Sequence, residues 1–313
     1  MSTITADRDG RTMTVRIENP PYNFMNRIMV AELDELTRSL EGDPSIGAVV
    51  ITGGVEGRFI THYDVAEIVA GTETVGMEVS STVAGTALRA VRGAARIPGA
   101  QDALGRTPAA GMVELHTIHD LFLRIGRLDK VFIAAINGPA LGGGCELALA
   151  CDLRYMARDT GVIGHPEMTL GFNPGAGGTQ RLTDLLGPGR ALEMILEAEA
   201  LKPREALEAG LVHRVVRDKD LVEEASATAA RLARRAPISI AGAKRAVREG
   251  SRRSLPEGLA IERKWFLAAA SRPASQRAMR AYVERVEAGG VPWSDDDARR
   301  PWREGTVVDL TSE

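Results

Sequence analysis

Two glutamates, Glu146 and Glu167, are the residues of this 313-residue chain whose types and surroundings best suit proton transfer. Glu146 follows three consecutive glycines and is predicted to lie in the first turn of an apolar helix. Glu167 precedes a loop dense in glycine, 171–178. Two carboxylates near helix-terminal amides can hold a water molecule and exchange protons with it, which general acid–base addition requires. For Glu146, the alternative is that the carboxylate only complements the helix dipole.

The three glycines before Glu146, residues 142–144, predict a second property of the same segment. They follow a predicted buried strand and precede a helix, so a ligand can approach exposed backbone N–H groups at the helix N-terminus. Such an arrangement stabilises an anion. No Gly-Lys-Ser/Thr follows and the glycine spacing of a dinucleotide fingerprint is missing, which excludes both nucleotide motifs. Tight packing between strand and helix is the structural alternative.

Strands alternating with helices surround these residues. Residues 13–17 alternate apolar and polar side chains, as in a strand with one buried face. Two short apolar runs, 47–53 and 131–136, suit strands buried on both faces. Apolar residues at helical spacing predict a helix over 30–40. Strands and helices in this order indicate βα units and an α/β core.

The chain is predicted to divide into a core and a helical C-terminal region. The core spans 1–202 and carries an insertion at about 71–111, with one or two helices and a mobile stretch near 97–111. The second region spans 203–313. Its predicted helices cover 221–234, 239–248, 256–270 and 273–288, and an extended tail is expected over 289–313.

The composition excludes several classes of function. Hydrophobic residues make up 44% and charged residues 26% of the chain, which is typical of a globular protein. A net charge of −3 provides no basic field for nucleic acid or an anionic membrane, and 4% aromatic residues disfavour an aromatic platform for bases. Neither a signal peptide nor an apolar run of membrane-spanning length is visible, so we expect a cytoplasmic protein.

The cysteine and histidine patterns argue against a metal centre. Cys145 and Cys151 are too few for a four-ligand zinc site, and we predict that both thiols are reduced and buried. The pair His116 and His119 is by itself a poor metal site. These two histidines and His213 are expected to pack or to face solvent, and no metal is predicted.

Four segments resemble the crotonase superfamily, the enoyl-CoA hydratase/isomerase superfamily. Residues 137–148 (Asn-Gly-Pro-Ala-Leu-Gly-Gly-Gly-Cys-Glu-Leu-Ala) and 174–182 (Pro-Gly-Ala-Gly-Gly-Thr-Gln-Arg-Leu) are close to the family consensus. Residues 19–23 resemble its N-terminal turn, and 201–215 resemble its Ala-x-x-x-Gly-Leu-Val region. The insertion and the tail lie outside the likeness.

This resemblance implies a spiral of ββα units followed by a C-terminal helical trimerisation region. It also implies an acyl-CoA thioester as substrate, no cofactor beyond the coenzyme A that the substrate carries, and a homotrimer or dimer of trimers. Because both glutamates are present, the reaction expected first is hydration of the 2,3 double bond of a 2-trans-enoyl-CoA. A Δ3,Δ2-enoyl-CoA isomerase and an acyl-CoA-binding member with degraded catalysis are the alternatives.

The resemblance also implies roles for individual residues. The backbone N–H groups of Tyr63 and Gly143 would form an oxyanion hole for the thioester oxygen. Glu146 would act as the base on the attacking water, and Glu167 as the acid toward Cα. The amide of Gly175 would help to hold that water.

Three positions depart from the family pattern. His62 replaces a glycine beside the oxyanion residue, Ala66 replaces a lysine that assists coenzyme A binding, and His165 replaces a glutamine. We expect His62, His165 and Phe172 to line the substrate pocket. His165 is also placed to tune Glu167, with a structural role as the alternative.

The insertion directly follows the predicted oxyanion segment, 59–64. Its apolar residues could supply one face of a helix, formed by Val75, Met77, Val79, Val83, Leu88 and Val91. A stretch this apolar is expected to pack on the acyl channel or on a neighbouring subunit. Glycine and proline in 97–100 and 106–111 are typical of hinges. We predict that the insertion forms a lid or wall on the acyl pocket and restricts chain length.

Overall fold

The computed structural model describes residues 2–97 and 99–312. The strands are β1 (Ile4–Asp9), β2 (Thr12–Ile17), β3 (Ala48–Gly53), β4 (Val131–Ile136), β5 (Pro139–Leu141), β6 (Leu153–Ala157), β7 (Val162–Gly164), β8 (Ala200–Leu201) and β9 (Arg214–Val216). The helices are α1 (Arg27–Ser39), α2 (Val65–Val75), α3 (Ser81–Ala94), α4 (Ala100–Leu104), α5 (Ala110–Arg127), α6 (Gly143–Ala150), α7 (Gly178–Leu196), α8 (Pro203–Glu208), α9 (Leu221–Leu232), α10 (Pro237–Arg245), α11 (Leu255–Ala270), α12 (Pro273–Glu287) and α13 (Asp296–Glu304).

The larger sheet has the strand order β1-β2-β3-β4-β6-β9. β1 pairs antiparallel with β2, and the other neighbouring strands run parallel. The apolar runs at 47–53 and 131–136 form β3 and β4, and all six residues of each are buried. They are covered on both faces because one apolar cluster includes α1 and α5, while a second lies under α9. The predicted strands buried on both faces are confirmed.

A smaller sheet has the strand order β5-β7-β8. β4 leads directly into β5 and β6 leads into β7, so successive units place one strand in each sheet. Ile60, which follows β3, forms a parallel bridge to Ala140 of β5 and repeats the pattern. The chain therefore coils, with each turn contributing once to each sheet.

Helix α6 carries Glu146 into the interior, and all eight of its residues are buried. Gly142, just before the helix, has φ +49°, a left-handed conformation that favours glycine. A Cβ on Gly144 would overlap the carbonyl oxygen of Ile60. The glycines therefore allow the close packing of α6 on the chain after β3, which brings the helix N-terminus beside residues 60–63.

The predicted insertion forms helices that are mostly exposed. Among the residues that the structure describes, α2 has no buried residue and α3 has only Val91. Four apolar residues of the predicted helical face are exposed in the single chain, Val75, Met77, Val79 and Val83. The packing of this face on the acyl channel or a neighbouring subunit stays a prediction. The following helix, α5, docks on the core through Leu121 and Phe122. The hinge predicted at 97–100 includes Pro98, which lies outside the described residues.

Lys244 of α10 joins the C-terminal region to the core. Its Nζ donates to the carbonyl oxygens of Ile125 at 2.9 Å and Lys130 at 2.8 Å, and to Asp152 Oδ2 at 2.8 Å. Burial lowers the pKa of Lys244, while the Asp152 carboxylate opposes this shift. The three acceptors come from the end of α5, the start of β4 and the end of α6, so one ammonium group holds four elements together.

The helices predicted beyond residue 203 are present, as α9 to α12. The predicted helix 239–248 ends as α10 at Arg245 and continues as a π turn over 246–250. Trp265 of α11 packs on α10, where a Cβ on Gly242 would lie 2.8 Å from the Trp265 Cβ. The guanidinium of Arg245 lies 5.5 Å from the Trp265 ring centroid.

The prediction of an extended tail is wrong for residues 296–304, which form α13. Asp295 caps this helix by accepting a hydrogen bond from the Ala298 amide at 2.8 Å. The ring of Trp302 in α13 packs edge-on against Tyr282 of α12, with 5.5 Å between centroids.

Both cysteines are free and buried, as predicted. Burial raises the pKa of the Cys151 thiol to about 12. In the described part of the chain, the helices are all too short or too polar to cross a membrane.

Candidate active site

Glu146 lies in the first turn of α6 with only 3% of its surface exposed. Its Oε1 accepts hydrogen bonds from the backbone amides of Ala176, at 2.6 Å, and Gly178, at 2.9 Å. Both amides belong to the glycine-dense loop that leads into α7. Because the two bonds engage one carboxylate oxygen, the other oxygen is left for a water molecule.

Opposing influences act on the charge of Glu146. Burial raises the pKa of Glu146, whereas His165 and the two backbone hydrogen bonds favour the carboxylate. The loop that supplies the amides is anchored by Arg181, whose Nη1 donates to the Ala176 carbonyl oxygen at 2.9 Å. Glu146 is therefore held through one carboxylate oxygen by a loop that Arg181 fixes in place.

Glu167 begins a 3₁₀ turn over residues 167–170 and is 8% exposed. A Cβ on Gly142 would lie 3.2 Å from Glu167 Oε1, so this carboxylate lies beside the N-terminus of α6. Within the described residues, Glu167 Oε2 is buried and has no hydrogen-bond partner. One oxygen of Glu167 is thus available to a bound molecule.

His165 lies between the two carboxylates and is 2% exposed. Its Nδ1 is 3.2 Å from Glu167 Oε1. The other side of the ring faces Gly178, where a Cβ would lie 2.7 Å from His165 Nε2 and 3.1 Å from Glu146 Oε1. Burial disfavours the imidazolium, but Cys145 and Glu167 outweigh it and raise the pKa of His165. The structure therefore brings His165 together with both predicted glutamates.

Two backbone amides, those of Tyr63 and Gly143, lie next to each other at the same helix terminus. A Cβ on Gly143 would lie 3.8 Å from the Tyr63 nitrogen. Neither amide donates to a protein acceptor among the described residues. A pair of free N–H groups at the N-terminus of a buried helix suits an anionic oxygen.

The Tyr63 side chain is fixed at its far end. Its hydroxyl contacts Glu67 Oε2 of α2 at 3.0 Å and donates to Glu114 of α5. Arg27 joins the same group through an Nε–Oε2 distance of 3.1 Å to Glu114. Burial raises the pKa of the Tyr63 hydroxyl, and the hydrogen bond to Glu114 adds to this effect. These contacts hold Tyr63 in place, and with it the backbone amide that lies beside Gly143.

His62 is half-buried and stacks on Phe24, with 4.2 Å between ring centroids. Its Nδ1 is 2.7 Å from the Tyr63 carbonyl oxygen. Phe24 stacks in turn on Tyr22 at 5.2 Å. A Cβ on Gly142 would lie 3.9 Å from the His62 Cβ, so the stack begins beside Glu167 and runs outward to the surface.

The other predicted site residues lie farther from the carboxylates or contribute differently. Phe172 is 36% exposed, and its amide lies 3.4 Å from the Glu167 carbonyl oxygen. The carbonyl oxygen of Gly175 accepts from His119 Nε2 at 2.6 Å. Gly175 also lines a cavity of 1460 Å³ that extends away from the site between α5, α7 and α10. The predicted hold of its amide on water stays a prediction.

Two groups of functional contacts were not predicted from the sequence. The Ala176 and Gly178 amides bind Glu146, and the glycine-dense loop was the available signal. Glu67 and Glu114 bind Tyr63, but Glu114 is 51 residues away in sequence and nothing local marks it. In the described residues, no group of three or more His, Cys, Asp or Glu side chains is arranged to hold a metal ion.

Comparison with known proteins gives a consistent picture. A family model described as enoyl-CoA hydratase/isomerase matches residues 100–295. The short-chain-enoyl-CoA hydratase of Clostridium acetobutylicum is 31% identical over 291 residues, covering 93% of this chain and 98% of that protein. Solved enoyl-CoA hydratases from Geobacillus kaustophilus and Bacillus anthracis have TM-scores of 0.75 and 0.72 at 25% and 28% identity.

These two structures cover 91% and 90% of this chain, and 95% and 96% of their own chains. The matches therefore extend over the coiled core and the C-terminal helices alike. The chain belongs to the enoyl-CoA hydratase/isomerase family and has the crotonase fold.

Proposed function

We propose that this protein is an enoyl-CoA hydratase that adds water across the 2,3 double bond of a 2-trans-enoyl-CoA. The observation that carries the proposal is the placement of two buried glutamates beside two free amides, those of Tyr63 and Gly143. A single carboxylate is sufficient to move a proton within a substrate. Addition of water uses two, one to deprotonate the water and one to protonate carbon.

The proposed step begins with the thioester oxygen between the two amides. Glu146 takes a proton from a water molecule through its free oxygen, and the water oxygen bonds to Cβ. The electron pair of the double bond moves toward the thioester, where the amides of Tyr63 and Gly143 stabilise the enolate oxygen. Glu167 then delivers a proton from Oε2 to Cα. Water is thereby added without any cofactor beyond the coenzyme A of the substrate.

The different hydrogen-bond partners of the two carboxylates support this division of roles. Glu146 accepts two backbone hydrogen bonds, which favour the ionised form that a base needs. Glu167 has one oxygen, Oε2, without a partner in the described residues, while its Oε1 lies 3.2 Å from His165 Nδ1. A water molecule between these carboxylates can lose a proton to one while the substrate gains a proton from the other.

We also propose that the protein assembles as a homotrimer or a dimer of trimers. Large apolar side chains are exposed on α7, α11 and the π turn, namely Leu192, Leu196, Val247, Leu255, Phe266 and Leu267. Large exposed apolar side chains in this number are typical of a protein–protein interface. Sedimentation of the purified protein tests this, and a monomer at micromolar concentration would contradict it.

Hydration of crotonyl-CoA tests the proposed activity. Loss of the conjugated thioester absorbance on adding the protein is expected, with Glu146→Gln as the inactive control. Binding of the thioester without turnover would instead indicate an acyl-CoA-binding protein. Conversion of a 3-enoyl-CoA by both the wild type and Glu146→Gln would indicate an isomerase.

A further inference from the structure

We infer that His165 is a positioning residue that directs Glu167 Oε2 toward the substrate and stabilises the carboxylate left when Glu167 gives up its proton. This inference rests on the proposed function. In this inference the two oxygens of Glu167 have different roles: His165 holds Oε1, and Oε2 carries the proton that reacts.

The geometry around Glu167 distinguishes its two oxygens. Oε1 faces His165 Nδ1 at 3.2 Å, whereas Oε2 is buried and has no partner in the described residues. An N–H donor on one oxygen fixes the rotation of the carboxyl group. It also stabilises negative charge on that group more than it stabilises the neutral acid.

The groups that face the ring support an Nδ1–H donor. Helix α6 presents Glu146 and Cys145, the 3₁₀ turn presents Glu167, and α7 presents the Gly178 backbone and, beyond Glu146, Arg181. The carboxylates outnumber the single nearby guanidinium. Glu167 and Cys145 raise the pKa of His165 although burial opposes this, which is consistent with a ring nitrogen that keeps its proton next to Glu167.

The proton balance of the step is simple. Glu167 Oε2–H gives its proton to Cα, and the electron pair stays on the carboxylate. His165 Nδ1–H keeps its proton and shortens its hydrogen bond to Oε1 as the charge develops. The proton that Glu146 took from water then leaves through solvent exchange, and Glu167 is reprotonated from solvent.

Replacing the imidazole tests the inference. In His165→Leu we expect kcat for crotonyl-CoA to fall about 10- to 100-fold, the range for losing a hydrogen bond to a charged group. KM is expected to stay unchanged because the inferred role of His165 is exerted through Glu167. The fall of kcat at high pH, the alkaline limb of its pH profile, is expected to move to higher pH. The reason is that the buried Glu167 carboxyl releases its proton less readily without a hydrogen-bond donor.

His165→Gln provides the conservative variant, since its side-chain amide can still donate an N–H to Glu167. We expect it to recover kcat to within about fivefold of the wild type and to return the alkaline limb toward the wild-type position. His116→Leu is the matched control, because His116 donates to the Leu88 carbonyl oxygen far from the carboxylates. It is expected to change neither kcat nor the limb. If His165→Leu does not fold, His165→Met replaces it as an unbranched variant without a donor.

The possible outcomes separate the two proposals. Failure of the wild type to hydrate crotonyl-CoA overturns the proposed function, and this inference with it. Hydration by the wild type, with an alkaline limb that is the same in the wild type, His165→Leu and His165→Gln, overturns this inference alone. An equal loss in the leucine and glutamine variants also overturns it, because a donor would then have no effect.

Discussion

Two regions near the site differ in burial: the glutamate centre, which is Glu146, Glu167 and helix α6, and the helices α2 and α3 that follow Tyr63. All eight residues of α6 are buried, and both carboxylates lie among buried side chains. In the described part of the other region, α2 has no buried residue, α3 has only Val91, and Met77 is 75% exposed. The groups proposed to do chemistry are thus fixed by the core, while the neighbouring helices contribute little to it.

This difference shows how rigidity is distributed near the site. Few buried apolar contacts are a physical sign of low local stability. The exposed helices are attached to the core by polar contacts, such as the Tyr63 hydroxyl with Glu67 and Glu114. We expect substitutions in the core region to affect activity or stability strongly, and substitutions in α2 and α3 to have small effects.

The largest effects are expected from the two carboxylates. Glu146→Gln and Glu167→Gln should each lower kcat by roughly 10²–10⁴, the range for positioned acid–base groups. The double variant should lose much less than the product of the single losses, because the two carboxylates act on one reaction. Steady-state hydration of crotonyl-CoA measures this. Full multiplicativity would show that the two glutamates act independently.

The pH dependence of hydration reports on Glu146. A base acts in its ionised form, so activity is lost as pH falls through the pKa of Glu146. Because burial raises that pKa, the acid limb of kcat/KM should lie above pH 4.5, the ordinary value for glutamate. A profile measured from pH 4 to 9 tests this. An acid limb below pH 4.5 would mean that the backbone hydrogen bonds outweigh burial.

Matched glycine substitutions test the comparison directly. Gly144→Ala should lower the free energy of unfolding by about 1–3 kcal/mol and reduce kcat, since its Cβ would overlap the Ile60 carbonyl oxygen. Gly93→Ala in α3 meets nothing within 4 Å. It should stabilise the protein by about 0.4–1 kcal/mol or leave it unchanged. Urea unfolding measures the stability of both variants. Equal changes in the free energy of unfolding would contradict the difference in packing between the two regions.

Tyr63→Phe is expected to have a smaller effect, because the backbone N–H is kept. Loss of the hydroxyl should lower the free energy of unfolding by about 1 kcal/mol, since Glu67 and Glu114 lose a shared donor. The value of kcat should stay within about fivefold of the wild type. Tyr63→Pro, which removes the N–H, serves as the opposite control and should abolish activity. A large loss of kcat in Tyr63→Phe would show that the hydroxyl takes part in the reaction.

The smallest effect is expected from Met77→Ser. Met77 is exposed, and surface substitutions of this kind change the free energy of unfolding by less than about 0.5 kcal/mol. Urea unfolding checks the stability, and sedimentation checks the assembly. A loss of oligomer without a loss of monomer stability would show that the exposed apolar residues of the insertion contact another subunit.

Local patterns were sufficient to predict three of the strands, β2, β3 and β4, and the helix that carries Glu146. The apolar run of β3 is bounded by glycines, that of β4 lies between Lys130 and Asn137, and the three glycines 142–144 mark the start of α6. Helix α13 was not predicted, although residues 295–299 carry two signals of a helix start. Asp295 is its N-cap, and Arg299 pairs with Asp296 three residues earlier, which are both helix signals.

Contacts between distant segments could not be predicted from residue patterns alone. The Tyr63 hydroxyl meets Glu114 only because α5 folds back beside α2. The exposure of Met77 and Val83 was also not predictable, because the sequence pattern of an apolar helical face is the same whether or not a partner covers that face. Residue type and the neighbouring glycines pointed to the two glutamates, and the family resemblance implied their roles. The place of His165 between them required the folded structure.

The distribution of tryptophan has a consequence for optical experiments. All three tryptophans, Trp265, Trp293 and Trp302, lie beyond residue 260, and Trp265 and Trp302 pack against α10 and α12. Intrinsic fluorescence excited at the indole band therefore monitors the C-terminal helices and is insensitive to the glutamate centre. Comparing its transition with that of far-ultraviolet circular dichroism reveals whether these helices detach before the coiled core melts.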